Sequence, residues 1–75
     1  MKPQYKYISF KIVEGRPKWW RCTNNRNGDE LGIVRWYGPW RQYCYFATAQ
    51  AVYSKDCLID IENFIRACEE GSYET

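Results

Sequence analysis

Residues 54–71 read SKDCLIDIENFIRACEEG, and here the chain changes period. Cys57, Leu58, Ile61, Phe64, Ile65 and Cys68 recur three and four positions apart, the spacing of an amphipathic helix. Ser54 is placed to cap its N-terminus, Asp56 complements the helix dipole in the first turn, and Gly71 suits the residue after the last turn. The pattern predicts a helix over about 55–70. Everything before it has the other period.

Residues 5–13 (YKYISFKIV) alternate, with Ile8, Phe10 and Ile12 on one side and Tyr7, Ser9 and Lys11 on the other. That alternation belongs to a half-buried strand. Gly15-Arg16-Pro17 is expected to close it, because proline cannot donate to a ladder. A second strand is predicted over 18–23 and is followed by a polar run whose Asn27-Gly28 pair favours a hairpin. Residues 31–37 and 40–47 read as strands around Gly38-Pro39, and a short fifth strand is predicted over 51–53. The fold class is therefore α+β: an antiparallel sheet of four to five strands in a meander, with one C-terminal amphipathic helix packed on one face, forming one domain over 1–75.

The chain has 75 residues, so its core is small, yet four Trp, seven Tyr and three Phe give it an unusual aromatic share. Net charge is only +2 but is unevenly spread: the cations concentrate before residue 45 and the acids in the helix. No apolar run reaches the roughly 20 residues that span a bilayer, and the N-terminus lacks the apolar centre of a signal peptide. The expected compartment is the cytoplasm, with no membrane partner and with Cys22, Cys44, Cys57 and Cys68 reduced.

One helix covers one face of such a sheet. The even positions Trp20, Cys22, Val34, Trp36, Cys44 and Phe46 are expected to face it. The odd positions Trp19, Arg21, Leu31, Ile33, Arg35, Tyr37, Arg41, Tyr43 and Tyr45 are expected on the uncovered face. A bulge or a register shift would exchange such sets. Rings interleaved with guanidinium groups suit nucleotide bases and phosphates, and they also suit the centre of a protein interface. They can equally pack on one another, with arginine stems as cover. The candidate ligand-binding residues are Trp36, Trp40, Arg41 and Tyr43, then Arg35 and Tyr37. Leu31 and Ile33 on that face predict that a second copy covers it, as a homo-oligomer of which a dimer is the simplest case.

Catalytic apparatus is not apparent. The chain has no histidine, no Cys-x-x-Cys pair and no glycine-rich phosphate loop. No metal, cofactor or catalytic residue is expected, and the reading is of a binding protein, not an enzyme.

The stretch from Gly28 to Phe46, GDELGIVRWYGPWRQYCYF, is the most distinctive in the chain. With Leu58, Asp60, Ile61, Phe64 and Ile65, it resembles small, mostly uncharacterised proteins of bacteriophages and prophages. These pair an LGxIxWYGPWRQYCF-like hairpin with a short LxDIxxFI helix; Ala47 departs from the pattern, where a proline is expected. The resemblance brings no established activity and no functional residue. It implies a context, the host cytoplasm, where short phage domains without catalytic apparatus act by binding. The leading expectation is an anti-defence module that sequesters a nucleotide-like anion. The alternatives are a module that inhibits a host protein and a single-stranded nucleic-acid binder.

Overall fold

A computed structural model describes residues 5–71. Four strands, β1 (Ile8–Val13), β2 (Arg16–Asn24), β3 (Glu30–Tyr37) and β4 (Gln42–Ala47), form an antiparallel sheet in the order β1-β2-β3-β4. One helix, α1 (Lys55–Glu69), packs on one face. The α+β meander expected from the sequence is the fold.

Each connection has a local cause. Gly15 at φ 78° makes the β1–β2 reversal with Glu14, so Arg16 and Pro17 begin β2 and do not close β1 as expected. The β1–β2 register jumps from Ile12↔Trp20 to Val13↔Arg16, and Pro17 falls in the skipped stretch, where a missing N–H costs no ladder bond. Between β2 and β3, Gly28 takes φ 79° and its N–H donates to Asn24 O, which fulfils the Asn-Gly signal. The Asn25 side chain reaches back to Ser9 and donates to Tyr5 O at 2.8 Å, tying this loop to the chain before β1.

The helix forms where its period predicts. Ser54 Oγ accepts from Cys57 N–H, Asp56 lies in the first turn, and Gly71 follows the C-cap at φ 78°. Its buried side is Ile61, Phe64, Ala67 and Cys68. Phe64 stacks on Phe10 at 3.9 Å between ring centroids and meets Trp20 edge-on. Leu58, placed by its spacing on the apolar side, is 54% exposed.

Two departures re-sort the faces. Cys22 lies opposite Gly32 but Thr23 lies opposite Glu30, so Leu31 is an extra residue in β3, and this bulge turns it into the core. Second, Gly38–Trp40 is a turn of 3-10 helix, and Arg41 closes it in the left-handed region at φ 52°. This puts Tyr37 opposite Gln42 and Trp36 opposite Tyr43, so odd positions of β4 share a face with even positions of β3. Tyr43 and Tyr45 therefore point to the helix side, whereas Cys44 and Phe46 lie on the uncovered face, the reverse of the expected parity.

No strand forms at 51–53. The segment instead brings Tyr53 under the sheet, where its hydroxyl donates to Leu31 O at 2.5 Å. That uses its one proton, so Tyr45 donates to Tyr53 Oη, 2.7 Å away. The Leu31 carbonyl at the bulge accepts from Thr48 N–H as well as from Tyr53, and no fifth strand is involved.

Candidate functional site

The uncovered face carries Trp19, Ile33, Arg35, Tyr37 and Phe46. Its rings are largely engaged with cations and with each other. The Arg35 guanidinium sits 4.0 Å from the Phe46 centroid and 5.0 Å from that of Trp19, and Arg16 lies 4.6 Å from the same Trp19 ring. Tyr37 meets both Phe46 and Trp40 edge-on. Arg21 pairs with Glu30 at 2.9 Å. Guanidinium groups thus lie against the Trp19 and Phe46 rings, which pack on cations.

A cleft of about 610 Å3 opens on the other side, between the C-terminal end of α1 and the ends of β2, β3 and β4. Its walls are Lys18, Trp36, Arg41 and Tyr43 from the sheet and Cys68, Glu69, Glu70 and Gly71 from the helix end. The volume falls in the roughly 300–1,000 Å3 range of small-molecule sites. Trp36 is 45% exposed, and its indole makes a T-shaped contact with Tyr43 at 5.4 Å between centroids. Tyr43 is buried and leans in turn on Trp20, so the core fixes the indole from below. The helix stops short of this corner, which leaves a large ring uncovered.

The six candidate residues thus divide. Trp36, Arg41 and Tyr43 meet in the cleft, whereas Arg35 and Tyr37 lie on the opposite face. Trp40, 67% exposed on the β3–β4 turn, packs toward Tyr37. Tyr43 supports the site from the core and is not the exposed ligand contact its parity suggested. Sequence reasoning missed Lys18 and the Glu69–Glu70 wall. Lys18 shares the parity of Trp20, which places it on the helix side at a strand end; the glutamates read as an ordinary solvated helix surface.

The electrostatics are bipolar. Lys18 and Arg41 stand on the sheet wall, and two carboxylates on the helix wall join the partial negative charge of the helix C-terminus. Such a cleft can hold an anionic group on one side and accept hydrogen bonds from a neutral, donor-rich group on the other. A continuous polyanion would meet the acidic wall.

Arg41 is the only described residue other than glycine with positive φ. This backbone costs about 1–2 kcal/mol for a side chain other than glycine. Strain of this kind gathers at functional sites.

The two buried thiols are held in the protonated form. Burial pushes Cys68, at the cleft floor, up to about 12, with Glu69 adding to the shift. Burial likewise pushes Cys22 up to about 11. Both are raised above 9.0, so the folded state holds their protons more tightly than the unfolded chain. Their contribution to stability is complete below pH 9 and declines as pH rises toward the folded values. At pH 8 in native buffer, alkylation should label half-buried Cys44 and Cys57 well before Cys22 and Cys68, as peptide mass spectrometry would show. Equal labelling of all four would contradict the burial described here.

Among the described residues, no group of histidine, cysteine and acidic side chains is arranged to hold a metal ion, and no helix is long and apolar enough to cross a membrane. No protein-family model, curated protein or solved structure matches the chain.

Proposed function

We propose that this protein is a non-catalytic binding module that holds one nucleotide-like anion in the cleft at the end of α1. The observation that carries the reading is Trp36: an indole left nearly half exposed, fixed on Tyr43 and flanked by Lys18 and Arg41. A base stacks on the indole, the phosphate is taken by the two cations, and Glu69 or Glu70 accepts from base or sugar donors. The neutral thiol at the floor and the lack of histidine in the sequence support a binding role over a catalytic one.

The phage resemblance supplies the biological setting of the proposal. In a host cytoplasm, a protein that sequesters a nucleotide signal blunts the defence that depends on it. A module that blocks a host protein is the second reading, favoured by Trp40, whose exposure on a turn suits an interface anchor.

The test is calorimetric titration with linear and cyclic nucleotides, on wild-type protein and on Trp36→Leu. One site per chain is expected, weakened about 5- to 150-fold in the variant, as loss of a stacking contact of about 1–3 kcal/mol requires. No heat with any nucleotide at millimolar concentration would refute the reading.

A further inference from the structure

The cleft at the end of α1 holds opposite charges that do not pair. Lys18 and Arg41 are exposed on its sheet wall, and Glu69 and Glu70 are exposed on its helix wall. Among the described residues the ion pairs are Arg21–Glu30 and Arg66–Glu62, and neither involves a charge of the cleft. Arg66, the cation nearest these glutamates along the helix, is engaged with Glu62 at 2.6 Å. No described cation therefore competes with a ligand for the two carboxylates.

A carboxylate only accepts, and its two oxygens suit a pair of donors that lie side by side. Of the common bases, guanine alone offers such a pair on one edge, its ring N–H beside its exocyclic amino group. Adenine and cytosine set a bare ring nitrogen next to the amino group, so one carboxylate oxygen would face a lone pair. Uracil and thymine have a single ring N–H between two carbonyl oxygens. The same cleft supplies a stacking plane in Trp36, on which a purine lays a large ring surface. Two cations match one phosphate monoester, which carries about −1.5 to −2 charge at pH 7. Further phosphates would add charge that faces the two carboxylates.

We infer that the ligand of this cleft is a guanine nucleotide with a single phosphate. The inference rests on the nucleotide reading above and adds to it the base and the phosphate count. Glu69 or Glu70 takes the guanine edge as a bidentate acceptor, Trp36 stacks the ring, and Lys18 and Arg41 hold the phosphate. The helix C-terminus adds partial negative charge on the same wall, which favours the donor edge of the base there.

Calorimetric titration of the full chain with guanosine, inosine and adenosine monophosphates and with guanosine triphosphate tests it. Guanosine monophosphate should bind at least about tenfold more tightly than adenosine monophosphate, as loss of a charge-assisted hydrogen bond requires. Inosine monophosphate keeps the ring N–H but lacks the amino group, and should fall between them. The triphosphate should bind no more tightly than guanosine monophosphate. In Glu69→Gln/Glu70→Gln the preference for guanine over adenine should fall toward unity, a ratio from which the charge change common to both ligands cancels. Both side chains are exposed, so folding is not at stake. Equal affinity for the guanosine and adenosine monophosphates, tighter binding of the triphosphate, or an unchanged preference in the double variant would each overturn the inference while leaving a nucleotide site in the cleft. No binding of any of the four would overturn it together with the reading it rests on.

Discussion

Phe64→Ala should destabilise the protein by about 3–5 kcal/mol, the range for removing a fully buried aromatic ring. Phe64 has no exposed surface; it lies flat on Phe10 and makes a T-shaped contact with Trp20, so its ring joins α1 to β1 and β2. Neither neighbour can collapse into the void, since each is held in the sheet by its own ladder. A small domain has only about 5–15 kcal/mol in total, so the variant should be substantially unfolded in mild denaturant. Urea unfolding followed by far-UV circular dichroism measures the loss. Leu58→Ala, on the solvent side of the same helix, serves as the control and should cost under about 1 kcal/mol. Similar losses for the two would mean that the helix does not pack through Phe64.

Gly32→Ala should cost about 3 kcal/mol or more, through overpacking together with broken hydrogen bonds. A Cβ at this position would stand 2.5 Å from Tyr45 Cζ, 2.6 Å from Tyr45 Oη and 2.6 Å from Phe46 O. The carbonyl belongs to the paired strand and cannot withdraw. The Tyr45 ring cannot swing aside without breaking its bond to Tyr53, which in turn satisfies the Leu31 carbonyl. Glycine is therefore required by crowding and not by its backbone angles. Adding Tyr45→Leu should restore part of the loss, which thermal unfolding of the single and double variants would show. A loss below about 0.5 kcal/mol for Gly32→Ala alone would rule out the close approach of Tyr45.

The helix and the meander were legible because each rests on a local pattern: three-and-four spacing after Ser54, alternation in β1, and turn residues at Asn27-Gly28 and Gly38-Pro39. The faces were less so. Which side Tyr43 and Phe46 take depends on how many residues the β3–β4 turn consumes. Arg41 in a left-handed conformation is not an outcome that composition announces, because glycine or asparagine usually fills that place. Leu31 was misplaced for a related reason, since a single extra residue in β3 reverses its side. With the β4 parity exchanged, Tyr43 joins Trp36 on the helix side, while Arg35 and Tyr37 stay on the uncovered face. The cleft itself depends on where the helix ends relative to the sheet, a tertiary fact, so Lys18, Glu69 and Glu70 carried no signal beyond their charge.

In the function proposed above, the Arg41 side chain serves binding, while its left-handed backbone belongs to the β3–β4 turn. Arg41→Gly separates the two, because glycine takes φ 52° without steric cost while losing the guanidinium. Melting curves and nucleotide titrations of wild-type protein and this variant, measured side by side, are the most direct test. The melting temperature is predicted to hold or rise by a few degrees, with ~1 kcal/mol of strain released. Nucleotide affinity should fall at least about tenfold, in keeping with the loss of a charged hydrogen bond worth about 1.5–3 kcal/mol. Undiminished affinity in a stable Arg41→Gly protein would contradict the assignment of the cleft.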